Sequence, residues 1–154
     1  MGMLKKEFIS VSAEATKELA EKFGKRLWEG SCLLLSGDLG AGKTCFTQGL
    51  GQGLNIKRKI SSPTFTLLKV YQEGRLVLYH LDAYRLENAF QDVGFSEFIA
   101  LLGVSVIEWP EYLEPLLPKE YLKIDFGLIA EDKRLLKLEA VGDAYCALLQ
   151  EVLC

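Results

Sequence analysis

Eight consecutive residues, Gly37-Asp38-Leu39-Gly40-Ala41-Gly42-Lys43-Thr44, carry the densest chemistry in the chain. They fill every fixed position of the pattern G-x-x-x-x-G-K-[ST]. The glycines let the backbone wrap closely enough for successive N–H groups to point at one anion. A helix starting near Gly42 would add its positive end. The lysine supplies a point charge for the β- and γ-phosphates of a nucleotide, and the threonine hydroxyl is a ligand for Mg²⁺. At average residue usage the pattern arises by chance in about 1% of chains this long. Here it also stands between an apolar strand and a helical segment, so the residues read as a phosphate-binding loop.

Hydrolysis or transfer of a γ-phosphate needs acidic groups beside that loop. Glu108 ends the apolar run Val104 to Ile107, where a Walker B residue would hold Mg²⁺ directly or through water. Asp82 ends the run Leu76 to Leu81 and would reach the same rim of a parallel sheet. Each also has a plainer reading, Asp82 as the N-cap of a following helix and Glu108 as a solvated strand end. Four other conspicuous features read as structural. His80 and Cys45 pack, Lys57-Arg58-Lys59 faces solvent, and Trp109 packs beside Glu108, where an indole could also report on a nucleotide.

These groups need a scaffold. Ser12 is a suitable N-cap for a helix with an apolar stripe at Ala15, Leu19, Phe23 and Leu27, closed by Gly30 in the C′ position. Cys32 to Leu35 has no polar alternation, as expected of a strand buried on both faces. A second helix spans Lys43 to Leu50. Phe65–Tyr71 and Leu76–Leu81 make a hairpin around Gln72-Glu73-Gly74-Arg75. Helical patterns cover 85–90 and 95–102, Tyr121–Phe126 pairs with Leu135–Val141, and 144–153 forms a last helix. A short strand, Phe8 to Val11, opens the chain. The expected class is α/β and P-loop NTPase-like, with a mixed, mostly parallel β-sheet flanked by helices and one domain over residues 1–154.

Composition excludes other classes. Of 154 residues, 49% are hydrophobic and 25% charged, as in ordinary globular chains rather than disordered or coiled-coil ones. A net charge of −3 argues against autonomous nucleic-acid binding, which usually needs a basic protein. The longest apolar stretch, Ile99 to Ile107, falls short of the roughly 20 residues that cross a bilayer. Four cysteines without a C-x-x-C pair, one histidine and no signal-peptide pattern point to a cytoplasmic protein with no membrane association. No Asn-Lys-x-Asp motif is present for reading guanine, so ATP is the expected nucleotide.

Several motifs occur together in a fixed order. GDLGAGKT at 37–44 is followed by Ser62-Pro63-Thr64-Phe65-Thr66-Leu67, His80-Leu81-Asp82-Ala83-Tyr84-Arg85-Leu86, Gly94-Phe95-Ser96-Glu97 and Ile107-Glu108-Trp109-Pro110-Glu111. From about Ser12 to Glu111 the chain resembles the TsaE (YjeE) ATPase family, a component of the bacterial machinery that makes threonylcarbamoyladenosine beside the anticodon in tRNA. The resemblance implies that Gly37 to Thr44 cradle ATP and that Lys43 binds its β/γ-phosphates. It implies that Thr44 and Glu108 hold Mg²⁺, with Asp82 a Mg²⁺ partner or the residue orienting the attacking water. Ser62 to Thr66 would form a switch segment centred on Thr64. Arg85 would anchor the loop carrying Asp82 or touch a partner, while Ser12 and Arg134 would lie near the nucleotide. The partners implied are TsaD-like and TsaB-like proteins, with tRNA reached only through the complex. Slow turnover by the subunit alone fits an arginine finger supplied in trans, worth about 10³–10⁵ in rate. A small-molecule kinase, and a nucleotide-gated binding module without significant turnover, are the competing readings of the same loop.

Overall fold

In the computed structural model the described residues are 2–38, 42–63, 68–84 and 102–153. Seven strands form one sheet: β1 (Met3–Ser10), β2 (Ser31–Ser36), β3 (Leu68–Tyr71), β4 (Leu78–Asp82), β5 (Val104–Glu108), β6 (Tyr121–Ala130) and β7 (Lys133–Val141). Their spatial order is β1-β7-β6-β2-β5-β4-β3. The four central strands, β6, β2, β5 and β4, run parallel, whereas β1, β7 and β6 at one side and β3 against β4 at the other are antiparallel. This is the mixed α/β sheet expected, with the β3–β4 and β6–β7 pairings in place. The expected helix over 85–90, and all of the one over 95–102 except Leu102, lie outside the described residues.

Three helices, α1 (Ala13–Gly24), α2 (Lys43–Gly53) and α3 (Asp143–Val152), share a core with the sheet. Phe23 of α1, Phe46 and Leu50 of α2 and Leu149 of α3 are fully buried against Leu33, Leu35 and Leu122. Buried side chains of this size each contribute about 1.5–3 kcal/mol relative to exposure. A smaller cluster on the opposite face joins Cys32, Leu34, Leu81 and Ile107 to Leu113, which lies in the 3₁₀ segment Pro110–Leu116. Burial pushes the Cys32 thiol up to about 12, which makes it an inert packing group. No helix among the described residues is long and apolar enough to cross a membrane.

Ser12 caps α1 as expected, its hydroxyl oxygen accepting from the Ala15 N–H at 3.0 Å. The far end differs from expectation, because α1 stops at Gly24 and Gly30 is not its C′ residue. Two long-range contacts explain this. The Arg75 guanidinium donates to the carbonyls of Gly24 and Leu27 at 2.8 and 3.0 Å, satisfying groups that a longer helix would satisfy internally. Gly24 also faces Gly53 of α2 so closely that a Cβ on Gly24 would lie 3.0 Å from the Gly53 Cα. Gly30 instead takes φ 94° at the entry to β2 and donates its N–H to Gly103 O at 2.7 Å.

A candidate phosphate-binding site at the ends of β2, β4 and β5

Parallel strands bring their carboxyl ends to a common rim, the usual ligand position in open α/β sheets. The register makes that rim specific: Glu108 pairs with Leu35 of β2 on one side and with Asp82 of β4 on the other. Two backbone bonds extend the seam past the strands, Ala83 N–H to Glu108 O at 3.0 Å and Trp109 N–H to Leu35 O at 3.2 Å. The chain leaving β2 reaches α2 within six residues, so Lys43, the first residue of α2, faces the same rim. Asp82, Glu108 and Lys43 are 2%, 4% and 4% exposed, rare burial for three ionisable side chains.

Among the described residues Lys43 has no tight ionic partner. Its ammonium donates to the Gly37 carbonyl at 2.6 Å, lies 3.9 Å from Glu108 Oε1, and stands 4.3 Å from the centroid of the Trp109 ring. Burial pushes its pKa below the usual 10.5, against the opposing pull of Glu108, Asp82, Glu111 and Asp38. A buried cation held this loosely is ready for a polyanion. The loop backbone agrees: Gly37 and Gly42 take φ 138° and 107°, and a Cβ on Gly37 would stand 2.7 Å from Phe126 O. Asp38 is exposed, whereas Leu39, Gly40 and Ala41 lie outside the described residues.

The helix that Asp82 would cap lies outside the described residues. One carboxylate oxygen accepts from the Tyr84 N–H at 3.0 Å, as a cap does, while the group remains at the rim beside Lys43. Glu108 is not a solvated strand end. Its Oε2 lies 2.7 Å from Nε2 of the fully buried His80. Among the described residues no three His, Cys, Asp or Glu side chains cluster to hold a metal. Mg²⁺ does not need such a cage, since it usually takes one or two carboxylates plus substrate phosphates and waters. The Thr44 hydroxyl at the start of α2 and the Asp82 and Glu108 carboxylates are a donor set that fits it.

A second concavity of about 570 Å³ opens beside Gly42. Ser12 and Thr16 line it from the start of α1, and Arg134 with Glu131 and Asp132 from the β6–β7 hairpin. Ser12 and Arg134 are 122 positions apart in the chain, yet the structure brings both to a space adjoining the loop. Arg134 also braces the hairpin, donating to the carbonyls of Ala130, Glu131 and Lys133 at 3.1–3.3 Å. Cys45 lines the same space, and its half-buried thiol donates to Ala13 O at 3.3 Å. Thr64, Arg85 and most of the expected switch segment lie outside the described residues.

Two features of the rim escape sequence reading. His80 was expected to pack but contacts the rim carboxylate. Trp109 adopts a left-handed backbone, φ 56° and ψ 53°, uncommon for a non-glycine residue and typical of functional sites. That turn lays the indole near the lysine and into a cluster with Tyr84 and Tyr112, at 5.2 and 6.4 Å between centroids. The E-W-P order after an apolar strand is the one signal that pointed there.

The geometry has counterparts. The sequence model of the family described as "Threonylcarbamoyl adenosine biosynthesis protein TsaE" matches residues 10–136. A Bacillus subtilis protein named "tRNA threonylcarbamoyladenosine biosynthesis protein TsaE" is 42% identical over 143 residues, covering 93% of this chain and 90% of its own. A Treponema pallidum protein of the same name is 46% identical over 128 residues, with 82% and 94% covered. The crystal structure of Bacillus subtilis YdiB superposes with a TM-score of 0.84 at 35% identity, over 99% of this chain and 96% of that one. With the family's model matching residues 10–136 and two relatives of that name 42% and 46% identical over most of the chain, the chain belongs to the TsaE family.

Proposed function

We propose that the chain is a single ATPase domain that binds and hydrolyses ATP as a component required for threonylcarbamoyladenosine modification of tRNA. The observation that carries this reading is the convergence of Lys43, Asp82 and Glu108, all buried, on one sheet rim at the start of α2. Residues 37–44 cradle the phosphates, and the base lies toward the concavity between Ser12 and Arg134. Lys43 neutralises charge on the β/γ-phosphates. Thr44 and Glu108 are the residues that would hold Mg²⁺, with Asp82 either sharing that task or orienting the attacking water. The metal, when bound, offsets charge developing on the transferring phosphoryl group.

Catalysis here is positioning plus electrostatics, without a covalent intermediate. Low dielectric at a rim this buried strengthens each of those charges relative to water. The described rim holds Lys43 as its one cation, which fits slow turnover by the subunit alone and acceleration by a complex that completes the site. The partners are TsaD-like and TsaB-like proteins, whose complex engages the tRNA, and the setting is cytoplasmic. The relatives' names support the modification role.

The test is phosphate release from ATP and GTP with Mg²⁺, by the protein alone and then with TsaD-like and TsaB-like proteins and tRNA. Slow release from ATP that rises with the partners is expected. Release that the partners leave unchanged would overturn the partnership. Transfer of phosphate to an added metabolite in place of release would convert the reading to a kinase.

A further inference from the structure

His80 lies two residues before Asp82 on β4, so the pleat turns both side chains to the same face of the sheet. It is 0% exposed. Its Nε2 lies 2.7 Å from Glu108 Oε2. A carboxylate oxygen accepts, so Nε2 carries the hydrogen and donates. The other ring nitrogen, Nδ1, is buried and has no hydrogen-bond partner among the described residues. Packing alone does not require an imidazole at this position. The strand around it uses leucine for that purpose, at Leu78 and Leu81. Among the described residues the imidazole therefore makes one polar contact, with the rim carboxylate.

The two oxygens of Glu108 are thereby distinguished. Oε2 is engaged by His80 on the interior side, while Oε1 faces Lys43 at 3.9 Å on the loop side. A carboxylate gripped through one oxygen cannot rotate freely about its last bond, so the other oxygen keeps its aim toward the loop. Partners of this kind fix the orientation of metal-binding side chains, and removing them typically costs about 10–100-fold in metal affinity or activity.

We propose that His80 is a positioning residue that holds Glu108 in its metal-binding orientation. This rests on the Mg²⁺-dependent ATPase reading above. His80→Leu removes the donor at nearly unchanged volume, His80→Gln places an amide N–H near the Nε2 position, and His80→Asn ends its amide short of Glu108. Mn²⁺ affinity in the presence of a non-hydrolysable ATP analogue, analogue affinity in EDTA, kcat and KM for ATP, and the unfolding midpoint are measured for each. In His80→Leu and His80→Asn, Mn²⁺ affinity and kcat should fall about 10–100-fold, with affinity in EDTA and KM close to wild type. His80→Gln should recover most of the loss. Wild-type Mn²⁺ affinity in His80→Leu overturns the proposal. So does an equal loss in all three variants. If His80→Leu does not fold, the contrast between Gln and Asn decides. A wild-type protein that neither hydrolyses ATP nor binds Mn²⁺ with the analogue overturns the ATPase reading, and the positioning role falls with it. Activity in wild type with no effect in the variants sinks the positioning role alone.

Discussion

The two halves of the sheet use charge in opposite ways. On the outer face of the antiparallel half, strands β1, β7 and β6 place Lys5, Glu139 and Lys123 in one cross-strand row and Glu7, Lys137 and Asp125 in the next. Each charge there stands opposite its complement, and the Lys5–Glu139 pair is 3.7 Å apart with Lys5 73% exposed. Solvent screens those contacts, so they cost little and gain little. At the rim of the parallel half, Lys43, Asp82 and Glu108 are nearly sealed from water, and the lysine is 3.9 Å from the nearest described carboxylate oxygen. Desolvating a charge costs several kcal/mol per ion, and pairing this loose does not offset it. Charge density alone marks nothing. Buried charge without close pairing marks the part of the fold where stability has been given up for chemistry.

Substitutions should separate the halves sharply. The largest effect belongs to Lys43→Ala, which should abolish tight ATP binding and lower turnover by about 10²–10³-fold or more. Equilibrium binding of a labelled ATP analogue checks this, and unchanged affinity would break the comparison. Alkaline pH should act through the same atom. Burial holds the Lys43 pKa below 10.5 in the free protein, so rising pH removes the ammonium before an ordinary lysine would lose it. ATP affinity should therefore decline with pH in a window beginning below 10.5, and Lys43→Arg should lack that decline. The stability term has the opposite sign. With the folded pKa below the unfolded one, this group's contribution to stability rises as pH climbs through the folded pKa toward 10.5. The smallest effect belongs to the antiparallel face, where Lys5→Ala should shift folding stability by no more than about 0.5 kcal/mol in denaturant titration and leave ATP binding intact.

Much of the rim was legible in the sequence because its determinants are local. An apolar strand running into glycines and a lysine, and two apolar strands ending on Asp82 and Glu108, need no tertiary information to be noticed. Asp82 was expected at the rim of a parallel sheet, but its direct pairing with Glu108 comes from β4 and β5 being neighbours, which only the fold shows. Less legible was whatever depends on distant contacts. The end of α1 is not legible locally because Arg75, about 50 positions later in the chain, supplies the donors that terminate it. The opening strand is longer than its short apolar core because β7 pairs with it along eight residues from the far end of the chain. His80 read as packing because nothing local reveals a partner 28 residues away. Ser12 and Arg134 had no local signal linking them, and only the fold sets them around one space.

In the proposed ATPase the buried carboxylates Asp82 and Glu108 serve turnover rather than nucleotide capture. Bound ATP and released phosphate should be measured on the same preparations of wild type, Asp82→Ala and Glu108→Ala, with Mg²⁺ and the TsaD-like and TsaB-like partners present. Both variants should still bind ATP, while phosphate release falls much further than binding. Wild-type turnover retained in both variants would contradict that role.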